Sequence, residues 1–161
     1  MISIRAAILS PETPESVQWI PDALVRINAS GHFTTVAPYA GEPIDHDMRG
    51  SVLLPGFIDT HHHLTQSLGK SLVFGEPSEI FKRVWVPLEG SLDERALHLS
   101  AKLAALEALR GGFTTAVDAG TRATVALDGI ATAAHQTGLR CVLGAICNDR
   151  GQESEAAAIL H

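Results

Sequence analysis

What this chain of 161 residues lacks removes several classes of function before any motif is read. It has only two cysteines, Cys141 and Cys147, too few for a disulfide scaffold. They fall six residues apart in one apparent strand, ~20 Å when extended, against a limit of ~7 Å for a disulfide. Both are therefore expected to be free thiols that pack, Cys147 near the strand end. No uninterrupted apolar run approaches the ~20 residues of a membrane span. No basic start leads into an apolar core and a small-residue cleavage site, so no secretory signal is read and the cytoplasm is the expected location. Basic residues are short: 12 against 18 acidic ones, a net charge of -6. That balance argues against a nucleic-acid backbone or an anionic membrane as partner. No internal repeat at 20–50-residue spacing suggests a solenoid.

What is present is an ordinary globular composition, 45% hydrophobic and 19% charged, with one informative run. Leu54-Pro55-Gly56-Phe57-Ile58-Asp59-Thr60-His61-His62-His63-Leu64 reads as an apolar strand introduced by a Pro-Gly turn and ended by histidines. Strict alternation puts Phe57, Asp59, His61 and His63 on one face and Ile58, Thr60 and His62 on the other. Two neutral imidazoles on one face, about 7 Å apart at Cα, converge on one divalent ion. They stand at the C-terminal end of their strand, where α/β folds place their chemistry. The segment from Leu64 to Gly75, with Gln66, Ser67 and Lys70 among apolar residues, reads as a loop lining a pocket.

The remaining elements follow from local pattern. Ile2–Leu9 alternates weakly, Ala23–Asn28 reads as a strand, and Phe33–Val36 follows a turn at Ala29-Ser30-Gly31. Residues 38–50 read as a connection. A helix is expected over about Leu92–Arg110, with Ser91 and Glu94 as a capping box, a face of Leu92, Ala96, Leu99, Leu103 and Leu106, and a stop at Gly111-Gly112. Phe113–Asp118 reads as a second strand, Ala123–Gln136 as a helix ended by Gly138, Arg140–Ile146 as a third strand and Gln152–His161 as a further helix. His98 and His135 lie in helices without ligand-type partners and are read as packing or surface residues. This alternation implies parallel strands with right-handed crossovers.

The run LLPGFIDTHHHLTQ resembles the first barrel strand of the amidohydrolase superfamily, and LDERALHLSAKLAALEALRGGFTTAVDAGT resembles the next helix and second strand in its aminohydrolase branch. That branch contains chlorotriazine hydrolases and cytosine and guanine deaminases. The resemblance implies an α/β fold, the N-terminal part of a (β/α)8 TIM-type barrel preceded by strands of a small β-sandwich. Residues 1–50 would be the β-rich segment of the composite sandwich, and residues 51–161 the first three β/α units of an incomplete barrel, since a closed one takes ~250 residues. It implies a metal-dependent hydrolase, with hydrolytic deamination of a nucleobase- or triazine-like heterocycle by metal-activated water as the first reading. The alternatives are cyclic-amide hydrolysis of the hydantoinase or imidazolonepropionase kind, and an inactive fragment serving as an assembly unit.

By the same resemblance, His61 and His63 would be ligands of zinc or another divalent transition metal such as iron. The further histidine, the aspartate and the proton-handling glutamate and histidine of the family would lie beyond this segment, which alone is expected to be inactive and to bind metal weakly. The partners implied are a small-molecule substrate, the missing C-terminal half of the barrel and further copies of the chain. Asp59 is either an acceptor for a ligand's second ring nitrogen or a structural carboxylate. Gln66 either reaches substrate or is solvated. Trp85 and Glu89 either build the pocket wall or, respectively, pack in the core and face solvent. His62 is expected to point into the strand–helix layer and not to be a third ligand. Asp118 stands at the end of the second strand with no role assigned.

Overall fold

The computed structural model describes residues 1–76 and 79–146. Cys147 and the helix expected over Gln152–His161 lie outside the described residues. The chain divides into two compact units between Pro55 and Gly56.

The first unit is a four-stranded sheet in the order β3-β2-β1-β4. β1 (Ile2–Thr13) and β2 (Ser16–Ile27) form a long antiparallel hairpin, with Ile4 opposite Val25 and Ile8 opposite Ile20. Inward-facing Ile8, Ile20, Ala23 and Val25 make its core. The turn into β3 (Phe33–Pro38) is built by Asn28, whose Oδ1 accepts from the N–H groups of Ser30 and His32 at 3.0 and 2.9 Å. Gly31, at φ +80°, supplies the left-handed residue this turn needs. The expected connection over 38–50 differs: His46–Leu53 forms β4, pairing parallel with β1. Its residues are nearly all exposed, as in an edge strand with one partner, so no apolar alternation marked it in the sequence.

The second unit carries a parallel sheet in the order β5-β6-β7: β5 (Phe57–His62), β6 (Phe113–Asp118) and β7 (Arg140–Leu143). This is the α/β arrangement expected from the alternation of elements. Where a loop was expected, Leu64–Val73 winds into a 3-10 helix, and a π-helical turn at Phe81–Trp85 runs directly into the short α1 (Val86–Gly90).

α2 (Glu94–Arg110) begins two residues later than expected. Asp93, not Ser91, caps it, its carboxylate accepting from Ala96 N at 2.7 Å. Its buried face also differs. Leu97, Ser100, Ala101, Ala104 and Ala105 face inward, while Leu99, Leu103 and Leu106 are exposed. The alanine stripe lets the helix approach α3 (Asp128–Thr137) and the strands closely, and the core gathers Leu64, Leu97, Ala116, Ile130 and Leu139 around it. α3 ends on Gly138 in the left-handed conformation, as read.

Candidate functional site

β5 is not a regular strand at the end that matters. Asp59 pairs with Ala116 and His62 with Asp118, so three steps along β5 match two along β6. This bulge breaks the alternation assumed from sequence and re-aims the histidines. Asp59 consequently meets His62 rather than the ring of His61 or His63. Its Oδ2 lies 2.9 Å from His62 Nδ1, and its Oδ1 accepts the His61 N–H at 3.1 Å.

His61 and His63 approach edge to face, their ring centroids 5.3 Å apart. Imidazoles sharing one tetrahedral ion at metal–nitrogen distances of about 2.0–2.1 Å bring their centroids to roughly 5 Å, so this pair fits two corners of such a site. His63 is further prepared. Its Nδ1 donates to the carbonyl of Gly120 at 2.9 Å, which fixes the tautomer and leaves Nε2 with a free lone pair. Gly120 sits at φ +89°, a conformation that suits glycine there. Among the described residues no group of three His, Cys, Asp or Glu side chains is gathered to hold an ion.

Asp118 holds this corner together. It is 1% exposed, and its carboxylate accepts Leu64 N at 2.8 Å and Gly120 N at 2.7 Å. It thereby ties the residue after His63 to the residue whose carbonyl orients His63. Two backbone bonds reinforce the junction: Ala119 N to His62 O at 2.7 Å and Gly144 N to Asp118 O at 2.8 Å. Beside it, burial together with the charge of Asp118 pushes the Cys141 thiol above its usual range, consistent with a packing role.

A cavity of about 200 Å³ opens beside the histidines, lined by His61, His62, His63, Gln66, Ser67, Lys70 and Trp85. Gln66 and Trp85 thus share a cavity with the histidines, and so does His62. Glu89 does not line it. It is fully buried, neither solvated nor in the cavity wall, and accepts from Gln66 Nε2 at 2.8 Å and from Arg122 N and Nη1 at 3.0 and 3.2 Å. The Arg122 guanidinium lies over the Phe81 ring, 4.3 Å from its centroid. Ser67 Oγ is buried and has no hydrogen-bond partner among the described residues.

Residues 52–160 match the amidohydrolase family. The chain belongs to that family. Within it, the chain is 33% identical over 114 residues to 5-methylthioadenosine/S-adenosylhomocysteine deaminase 2 of Archaeoglobus fulgidus, covering 70% of this chain and 26% of that protein. It is 40% identical over 114 residues to a probable guanine deaminase of Deinococcus radiodurans, covering 65% of this chain and 24% of that one. Among solved structures, Escherichia coli guanine deaminase superimposes with a TM-score of 0.75 at 24% identity, over 97% of this chain and 40% of that chain. An atrazine chlorohydrolase of Arthrobacter aurescens, solved complexed with zinc, gives 0.65 at 21% identity, over 92% of this chain and 39% of its own. The chain spans about a quarter of the curated relatives' length. The two solved structures share its fold, the N-terminal portion of their TIM-type barrel architecture.

In this amidohydrolase segment, sequence reasoning missed two residues outright. Arg122 was not singled out because its partner Glu89 is 33 residues away, and Gly120 because a carbonyl acceptor leaves no trace in residue type. Asp118 had a legible signal, a carboxylate ending an apolar parallel strand, but no legible partner.

Proposed function

We propose that this chain contributes the opening part of the active site of a metal-dependent hydrolase that deaminates a nitrogen heterocycle. The observation that carries this reading is the His61–His63 pair at 5.3 Å, with His63 Nδ1 committed to Gly120 and the pair opening on a cavity shared with Gln66 and Trp85. The deaminases among its relatives support the reaction class.

His61 and His63 would hold a divalent ion, zinc being the first choice for two neutral imidazoles and iron the alternative. A metal bound there supplies water acidified to a pKa of about 7, a nucleophile suited to an electron-poor ring carbon at neutral pH. The chain's own residues do the rest of the work assigned here. Gly120 O and the Asp118 clamp hold His63 in one tautomer and one orientation. Trp85 offers an apolar edge to a planar ring, and Gln66 offers a polar contact to its heteroatoms. Proton transfer to the departing amine is assigned to no residue of this segment. The substrate is a small molecule in this reading, and we assign the reaction to the cytoplasm.

The experiment is ammonia release from a panel of guanine, adenosine-type nucleosides and aminotriazines by zinc-loaded protein in which this segment is joined to the rest of the barrel, with zinc content measured alongside; the segment alone should release none. Ammonia from at least one of them, lost in His61→Ala and His63→Ala together with zinc, is the expected result. Stoichiometric zinc that survives both substitutions would contradict the assignment.

A further inference from the structure

The Glu89 carboxylate has four donors' worth of capacity, and three are taken inside the protein: Gln66 Nε2, Arg122 N and Arg122 Nη1. A carboxylate only accepts, so the amide of Gln66 has one orientation available, NH2 toward Glu89. Its carbonyl oxygen has no partner among the described residues and belongs to a side chain that lines the histidine cavity. The neighbouring Ser67 Oγ is buried and likewise without a partner among the described residues. A carbonyl oxygen left open on that cavity can only accept, and so suits a ligand that donates.

We propose that Glu89 is a positioning residue. Held by Arg122, it fixes Gln66 with its amide oxygen toward the cavity, so the site selects a ring that presents an N–H or amino group at that point. This rests on the heterocycle reading above for the ligand, but not for Glu89's hold on Gln66. The argument turns on polarity rather than on size. If residue 89 were an amide, Arg122 would still take its oxygen, its NH2 would face Gln66, and Gln66 would turn over to offer a donor to the cavity.

Glu89→Gln makes that change at nearly constant shape, and side-chain amide hydrogen exchange by 15N NMR on the full chain reads it without turnover. In the unmutated protein, the Gln66 NH2 should exchange at least about tenfold more slowly than that of exposed Gln18. In Glu89→Gln with an unchanged backbone spectrum, protection should pass from residue 66 to residue 89. A Gln66 amide that exchanges as fast as that of Gln18 in the unmutated protein refutes the proposal without any variant. So does protection at Gln66 that survives Glu89→Gln.

The ligand half is read by titrating xanthine, which carries ring N–H groups, against caffeine, in which these are methylated. Xanthine should perturb the Gln66 13Cδ resonance at about tenfold or lower concentration than caffeine, and Glu89→Gln should erase the difference. Equal response to both in the unmutated protein overturns the donor requirement. Ammonia release plays no part in either readout, so a failed deaminase assay counts against the proposed function alone.

Discussion

The two units use polar groups in opposite ways. In the unit ending at Pro55, the strongest polar contacts are part-buried and hold register. Arg5 grips Asp22 bidentately at 2.7 and 2.6 Å across the β1–β2 hairpin, and Asp45 accepts from Ser3 N and Oγ at 2.7 Å. In the unit from Gly56, polar groups go inside: Asp118, Glu89, Ser100 and Thr65 are all at most 1% exposed. Asp118, Glu89 and Ser100 each bond backbone or side chains of the segments around the histidine cavity. Ser100 Oγ, for example, donates to Thr65 O at 2.8 Å and accepts Leu68 N at 3.3 Å. Burying such groups is costly unless they are partnered, as Asp118, Glu89 and Ser100 are, whereas Thr65 Oγ1 has no partner among the described residues. The first unit builds a sheet; the second builds a sheet and spends stability on a site.

That contrast sets the order of expected effects. Asp118→Ala should cost most, on the order of 4 kcal/mol in urea unfolding, because two buried N–H groups, of Leu64 and Gly120, lose their acceptor. It should weaken zinc binding too, since His63 loses its support. A cost below about 1 kcal/mol would erase the distinction between the units. Leu97→Ala, a fully buried side chain of α2, should cost about 3 kcal/mol, while Leu106→Ala on the same helix should cost under about 1. Equal costs would restore the leucine face read from the sequence. Gly144→Ala should cost about 2 kcal/mol, because its Cβ would stand 2.6 Å from the carbonyl oxygen of Asp118.

The smallest effects belong to the first unit. The Asp22 and Asp45 carboxyls are held below the ordinary range, chiefly by hydrogen bonds from Arg5 and from Ser3. A carboxyl lowered in the folded state contributes fully above its unfolded pKa, and that contribution is lost as pH falls through the folded value. Acidification from pH 7 should therefore leave this sheet unchanged until below about pH 4, then loosen it. The Asp22 side chain is 45% exposed, so Asp22→Asn should move the neutral-pH urea midpoint less than any change above. A larger shift than that of Gly144→Ala would break the comparison.

Much of this was legible in the sequence, and the failures have causes. The Gly31 turn from β2 into β3, the parallel strands, the Gly138 stop and the histidine strand follow from periodicity and turn chemistry. The β5 bulge does not, because one extra residue leaves no compositional mark, and it is why Asp59 meets His62. The buried face of α2 was misread because its leucines outscored its alanines, although the alanines permit close approach. The Glu89–Arg122–Gln66 set joins residues 33 and 23 positions apart, beyond any local pattern.

The central claim is that the bulged strand aims His61 and His63, and not His62, at a metal. The zinc affinities of His61→Ala, His62→Ala and His63→Ala, measured by competition with a chromophoric chelator, test it most directly. The account predicts a loss of at least about tenfold for His61→Ala and His63→Ala, and a much smaller change for His62→Ala. A loss at His62→Ala equal to the other two, or unchanged affinity in His63→Ala, would contradict it.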